Sequence, residues 1–451
     1  MPPAFVFDPN RCTGCQACEL ACSIENDLGL DRSWREVVTF NDVAIPGIPR
    51  FHLSLACNHC SEPACMHSCP ALAYSRDLAT GAVLIDPDRC IGCRYCSWAC
   101  PYGAPRFDEE SGVMGKCTFC AHRLGRGSKP ACATLCPTGA LDFADLPASE
   151  MTARVEGFPQ TGLGPSLRIE PPRRSLYLTE AGDAGFETEA PTPQTDPPSP
   201  GVTLRTEWSL ASFTFLTTIL FAAYAGAAAG ALRLPAFAFA GLAGIAAAFS
   251  LAHLGRPERA WRACLNLRRS WLSREVVGFG AFAAAGTIGL AGGGASSSGI
   301  GTLAALLGLL TLVSADQVYR PVYRGGTPLL DGGGATLTGL FLAGLVLRSP
   351  WLAAVPWLLK VVSAARDASR DPASTGAAGP GIRLLSLRVA LGLALPAGAW
   401  ISTGDLPIWA LAGTVAGEGI GRACFYQKLS VESPARRARA DLLARLRSRA
   451  A

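Results

Sequence analysis

Histidine is scarce in this chain: five occur in 451 residues, and only His253 lies beyond residue 204. A haem held between two histidines needs two, so a b-type haem bound that way is excluded from the second half. Charge is also sparse, at 17% of residues, and long stretches after Trp208 carry none. Those stretches lack the polar face that a soluble helix shows to water. No basic patch with interleaved aromatics is present, so nothing points to nucleic acid as a partner; the net charge of +5 is uninformative by itself. Before Cys12 there is neither a basic segment followed by an apolar run nor a pair of arginines, and we expect no export signal.

Cysteine is what the chain has in excess, and sixteen of its eighteen lie before residue 137. Cys90, Cys93, Cys96 and Cys100-Pro101 stand in the C-x2-C-x2-C-x3-C-P order that holds a 4Fe-4S cluster. Cys12, Cys15, Cys18 and Cys22 repeat the spacing; Cys57, Cys60, Cys65 and Cys69-Pro70 stretch it by two; Cys117, Cys120, Cys132 and Cys136-Pro137 form a fourth group. Disulfides or zinc would also use cysteine, but zinc takes two separated pairs and has no need of a trailing Cys-Pro. Clustered thiolate ligands of this kind are assembled in a reducing compartment. Three closely spaced thiolates bind three irons of one cubane, while the fourth is directed to a neighbouring one. Crossed ligation then predicts four sets: Cys12, Cys15, Cys18 with Cys136; Cys57, Cys60, Cys65 with Cys100; Cys90, Cys93, Cys96 with Cys69; and Cys117, Cys120, Cys132 with Cys22.

Phe5-Val-Phe-Asp-Pro-Asn-Arg-Cys-Thr-Gly-Cys15 recurs as Val83-Leu-Ile-Asp-Pro-Asp-Arg-Cys-Ile-Gly-Cys93, an internal repeat of strand, turn and ligand loop. Residues 71–89 are long enough for a hairpin joining the second and third groups. Read as a circle, the segment after Cys136 and the strand before Cys12 close a second unit of the same kind. The expected first domain, residues 1–180, is therefore an α+β double two-cluster ferredoxin-like body. Its histidines, His52, His59, His67 and His122, are expected to be hydrogen-bonding or surface residues, since cysteine already saturates the irons.

Residues 181–204 carry five prolines in the ten positions from Pro191 to Pro200, with acidic charge and no apolar period, and read as an extended linker. From 205 to 430 the composition suits hydrocarbon, and we expect an all-α eight-helix transmembrane bundle. The spans fall near 208–231, 234–252, 275–293, 299–317, 335–348, 350–365, 383–402 and 406–426. Small residues from Ala222 to Gly230 would let helices approach closely. Residues 431–451 read as a basic tail. His253 and Glu275 sit at one membrane edge, where ionisable groups are costly unless used or paired. Two readings stand: they bind a quinone and exchange its protons, or Glu275 joins Arg256, Glu258 and Arg259 in a structural cap.

Cys57-Asn-His-Cys60, Cys90-Ile-Gly-Cys-Arg-Tyr-Cys96 and Cys100-Pro-Tyr-Gly-Ala-Pro105 resemble the iron-sulfur subunit of DMSO reductase and related molybdoenzymes. Glu207-Trp208, His253-Leu-Gly, Leu272-Ser-Arg-Glu275 and Gly417-Glu-Gly-Ile-Gly-Arg422 resemble their quinol-reactive membrane anchor, usually a separate chain. The resemblance implies a partner subunit carrying a molybdopterin cofactor and substrate, and a quinone site near His253 and Glu275. The expected function is electron transfer between the membrane quinone pool and that partner through four 4Fe-4S clusters, with no haem and no substrate-binding molybdenum site in this chain. Quinone-linked sulfite oxidation is one form; an exported DMSO- or N-oxide-type reductase is the alternative. A redox-driven ion pump needs a chain of buried carboxylates, and only Glu418 stands out near a span interior; a redox sensor or scaffold would not need four clusters. Arginines at 256–274, 320, 324, 366, 370 and 436–449 fall on one side of an eight-span bundle in the bacterial or archaeal cytoplasmic membrane, against Arg233 and Arg348 on the other. The asymmetry predicts that the cluster domain faces the cytoplasm.

Overall fold

The computed structural model describes residues 1–29, 32–173, 202–292, 299–323, 327–369, 380–404 and 406–450. Most of the proline-rich linker, together with Arg324 and Arg370, lies outside the described residues. The chain divides into two compact units, Met1–Pro200 with Val431–Ala451, and Gly201–Ser430.

The first unit contains nine short strands among its described residues: β1 Pro3–Phe7, β2 Glu36–Phe40, β3 Phe51–Leu55, β4 Tyr74–Arg76, β5 Val83–Ile85, β6 Arg106–Asp108, β7 Val113–Gly115, β8 Leu141–Asp145 and β9 Leu167–Ile169. Five helices carry or flank cysteines: α1 Ala17–Glu25, α2 Ala64–Ser68, α3 Tyr95–Ala99, α4 Ala121–Leu124 and α5 Ala131–Thr134. Few of these elements could stand alone, since strands of three residues and helices of four or five fall well below lengths stable in water. What orders them is shared burial. β4 and β5 pair antiparallel, Tyr74 opposite Ile85, giving the return between the second and third cysteine groups. β1 pairs antiparallel with β8, Phe5 opposite Phe143, so the chain's start meets the segment after Cys136. β9 adds in parallel on the other edge of β1. Phe5 meets Phe119 and Phe143 edge-on, each pair of rings 5.2 Å apart, an arrangement that favours aromatic quadrupoles.

In the second unit the helices are α6 Trp208–Ala228, α7 Ala236–Ala252, α8 Trp271–Ala291, α9 Gly299–Val318, α10 Ala335–Val346, α11 Pro350–Ser369, α12 Pro380–Arg388, α13 Leu395–Thr403 and α14 Ile408–Gln427. A π-helical segment, Val389–Ala394, joins α12 to α13. Helix therefore occurs at each position expected for a span. Among the described residues, only four stretches are by themselves long and apolar enough to cross a membrane: Trp208–Ala228, Gly299–Val318, Pro328–Val346 and Leu384–Thr403. A fifth arises if Ala236–Ala252 and the 3-10 helix Pro257–Cys264, bent by 104°, are taken together. The other helices carry buried charge: Glu275 on α8, Lys360 on α11, Glu418 and Arg422 on α14. Gly417 lies against Gly392 of the π segment so closely that an added Cβ would stand 2.2 Å from the Gly392 nitrogen. Small residues at this crossing are a packing requirement.

The last helix, α15 Pro434–Ala450, belongs to the first unit. The stretch expected as a basic tail thus folds onto the cysteine-rich body, with Ala438 and Leu442 in its core and Ala435 and Leu446 packed against them. The Gly157 N–H donates to Asp441, and Arg445 pairs with Glu156.

Candidate iron-sulfur and buried polar sites

The cysteine loops are shaped by residues in left-handed backbone. Gly14 has φ of 71°, and a Cβ there would stand 2.8 Å from the His52 ring, so only glycine fits. Gln16 and Arg94, at φ of 60° and 59°, start α1 and α3 from the same conformation. Such coiling turns backbone N–H groups toward sulfur: those of Gly92 and Met114 reach Cys90 Sγ at 3.4 Å, and those of Ala73 and Leu141 reach Cys69 and Cys136 at the same distance. N–H bonds to cluster sulfurs stabilise the more negative state and tune its potential.

All eighteen cysteines are free, so the disulfide reading fails. Among the described residues no three His, Cys, Asp or Glu side chains converge as ligands of a single metal ion. A cubane's thiolates bind four different irons and surround a cage rather than a point. A void is lined by Cys57, Cys60, Cys65 and Cys100, three residues of one motif with the last of the next. The other expected sets bring together thiols that act on one another electrostatically. Cys12 is grouped with Cys15, Cys18 and Cys136; Cys117 and Cys120 share Cys132 and Cys22; Cys93 and Cys96 share Cys69, which also faces Cys90.

Three further pairs join the sets end to end: Cys18 with Cys132, Cys117 with Cys57, and Cys96 with Cys65. With the expected sets, these pairs give the order Cys12, Cys117, Cys57, Cys90. Burial pushes the thiols of Cys60 and Cys100 up, to about 12 and about 11, with neighbouring Cys57 adding to the effect. Loading with iron must therefore displace protons from these sites.

Histidine behaves as expected. His59 is buried, its Nδ1 accepts the Val83 N–H at 2.9 Å, and burial, then Lys116 and Arg76, hold it well below the usual range and neutral. Its ring lies 3.6 Å from that of Phe119. His52 bonds Thr39 at 3.0 Å, and His122 bonds Glu25 at the surface at 2.7 Å. Lys116 is fully buried and donates to the carbonyls of Val83 and Cys117, leaving a cation beside Cys60, Cys65 and Cys100.

In the second unit, His253 closes α7 and Glu275 lies buried near the start of α8. The charged groups nearest Glu275 are Arg422 and Asp316, and its Oε1 has no hydrogen-bond partner among the described residues. The cap expected with Arg256, Glu258 and Arg259 is thus not where Glu275 goes; those three pair with one another at the surface. Arg422 donates to Thr214 at 2.8 Å, stands 3.9 Å from Asp316, and lies over the rings of Phe425, Tyr319 and Tyr426 at 4.7 to 5.4 Å. Tyr319 and Tyr426 share a hydroxyl contact of 2.5 Å.

The expectation that only Glu418 would be a buried carboxylate near a span interior is overturned. Asp316 caps α10 through the N–H groups of Ala335 and Thr336, at 2.7 and 2.8 Å. Lys360, 0% exposed, pairs with Glu418, 2% exposed, at 2.6 Å, and both bond Thr338 at 3.0 Å. Asp331 takes Lys428, which also pairs with Asp367 at 2.7 Å. Sequence reasoning missed Asp316, Asp331 and Lys360. Their signal was a charged residue within or beside an apolar helix, which a window average conceals.

Together the two units define a ferredoxin-type iron-sulfur protein with a membrane-anchor domain. Residues 49–146 match the 4Fe-4S dicluster domain family, and residues 202–323 match the DMSO reductase anchor subunit (DmsC) family. An anaerobic dimethyl sulfoxide reductase chain of Haemophilus influenzae is 39% identical over 199 residues, 40% of this chain and 94% of the relative. Its namesake from Escherichia coli is 43% identical over 150 residues, 32% of this chain and 73% of the relative. A sulfite dehydrogenase subunit of Allochromatium vinosum is 36% identical over 201 residues, 38% of this chain and 84% of the relative. The protein belongs to the family of iron-sulfur subunits of dimethyl sulfoxide reductase, and carries an anchor domain in the same polypeptide. It is an electron-transfer subunit.

Proposed function

We propose that this chain carries electrons through four 4Fe-4S clusters between the membrane quinone pool and a separate molybdopterin catalytic subunit. The observation that supports the reading is the void lined by Cys57, Cys60, Cys65 and Cys100, one crossed set of four; extended to the other groups, the sets form a file, which storage or structure would not require. Cys12, Cys15, Cys18 and Cys136 hold one cluster; Cys117, Cys120, Cys132 and Cys22 the next; Cys57, Cys60, Cys65 and Cys100 the third; Cys90, Cys93, Cys96 and Cys69 the fourth. Each cluster supplies one-electron redox chemistry; the protein sets spacing, hydrogen bonds and local charge. Quinone chemistry falls to His253 and Glu275. Glu275 presents a buried carboxylate oxygen with no hydrogen-bond partner among the described residues, influenced by Arg422 and Asp316, and can take or return a quinone proton. A relative named for sulfite dehydrogenase and others named for dimethyl sulfoxide reductase frame the substrate: quinone-linked oxidation of sulfite on an inward-facing partner, or reduction of an S- or N-oxide on an exported one.

Purified protein should hold about sixteen irons at four per cubane, and a value near half that removes two of the four sets. His253→Ala and Glu275→Gln should weaken quinone-analogue binding and quinone-linked turnover with iron content unchanged. Undiminished turnover in both variants returns the two residues to a structural role.

One observation favours a second reading, coupled ion movement: the Lys360–Glu418 pair buried within the second unit. If the pair is structural, Lys360→Met strands a buried carboxylate and costs about 3–5 kcal/mol, and adding Glu418→Gln restores stability together with activity. If it moves protons, the double variant folds and turns over quinol but loses the proton uptake measured in sealed vesicles.

A further inference from the structure

Arg35 lies just before β2, 2% exposed, in the interior of the first unit. Its Nη1 donates to the Ser54 carbonyl at 2.9 Å and the Ser54 hydroxyl at 3.1 Å, and that hydroxyl contacts Cys18 Sγ at 3.2 Å. Its Cζ sits 4.4 Å above the ring of Phe5. Nε and Nη2 are buried with no hydrogen-bond partner, and among the described residues no carboxylate stands within ion-pair distance. A guanidinium so placed is always charged, and a buried charge without a counter-charge is costly. The charges that act on it most strongly are those of Cys132, Cys18, Cys117 and Cys22, drawn from two adjacent sets, with the Glu19 carboxylate a further one.

Resting on the cluster assignment above, we infer that Arg35 is a potential-setting residue placed at the junction of two clusters, that of Cys12, Cys15, Cys18 and Cys136 and that of Cys22, Cys117, Cys120 and Cys132. A cubane with four thiolates is negatively charged in both redox states and more so when reduced, so it supplies the missing counter-charge. A fixed cation in a water-poor interior stabilises the reduced form of each cluster, raising both potentials together. Nε and Nη2 are the donors free to bond their sulfurs. The electron thus meets a pair of matched sites at one end of the file, and passage between them is close to level.

The test is an EPR-monitored redox titration of the full-length protein bearing Arg35→Met, with iron content measured on the same sample. Two of the four clusters should shift to lower potential while iron content and the other two stay unchanged, and Arg35→Lys, which keeps the charge, should hold both near their original values. A fully loaded Arg35→Met protein with all four potentials unmoved overturns the inference while leaving the cluster assignment intact. A deficit of irons in the unmodified protein would instead overturn the assignment. Should Arg35→Met not load, Arg35→Gln is titrated in its place. If both neutral forms fail to load while Arg35→Lys loads, the charge serves assembly alone and the inference falls.

Discussion

At the scale of single residues, the proposed assignment has the fourth cysteine of each motif serve a cluster other than that of its own first three. Cys100 follows Cys96 by four positions yet lines the void of Cys57, Cys60 and Cys65. Cys57→Ser and Cys100→Ser should therefore remove or alter the same EPR signal, and Cys96→Ser a different one. If Cys100→Ser and Cys96→Ser share a lesion, ligation is not crossed. The placing of Cys100 beside that void agrees with the expectation from spacing, because a proline after the last cysteine redirects the chain. The Lys360–Glu418 pair was not legible, because its partners are 58 positions apart and each sits in a helix whose average character is apolar. Arg35 escaped for a related reason. A lone arginine before a short strand looks like surface, and only the fold reveals that β2 and β3 enclose it beside Ser54.

At the scale of elements, two-residue periodicity was too short-lived to mark strands, but the repeat of apolar strand, Asp-Pro turn and ligand loop showed where two of them, β1 and β5, had to be. The pairing of β1 with β8 came from treating the cysteine groups as a circle, and the register of Phe5 on Phe143 agrees with that closure. The final helix was misread. Basic residues dominate Pro434–Ala450, and their charge masked an apolar row at Ala435, Ala438, Leu442 and Leu446, spaced by three or four, that packs into the core of the first unit. Leu442→Ala should lower the stability of that unit by about 2 kcal/mol, the lower end for a buried leucine because the site is near the surface. Thermal bleaching of cluster absorbance measures it, with the exposed Ala444→Ser as control. Equal midpoints for the two variants would mean that the helix is not held on the body.

At the scale of the whole molecule, α15 constrains the topology more firmly than any hydropathy window. Residues at the start and end of the chain share one body, so the chain must cross the membrane an even number of times between Trp208 and Ser430. The expected eight crossings satisfy this; the four apolar stretches taken alone would also do so, but would put residues 253–274 on the membrane side away from the first unit. The 3-10 helix Pro257–Cys264 turns 104° from α7 and exposes Trp261 next to Arg259 and Arg262, and Leu265 and Leu267 follow it uncovered. Tryptophan, leucine and arginine together suit the headgroup layer. Arginines in this loop carry the orientation argument, because some in α15 are committed to partners such as Glu156 and Asp441. With the expected eight spans this loop lies on the side of the cluster body, and basic loops are retained on the cytoplasmic side, so the cluster body is expected there. Because α15 packs on that body, a reporter after Ala451 reads the side of the clusters directly and does not depend on the number of spans. Green fluorescent protein fused there should fluoresce and alkaline phosphatase should be inactive; active phosphatase would put the clusters outside, where the partner would be an exported reductase instead of an inward-facing sulfite oxidase.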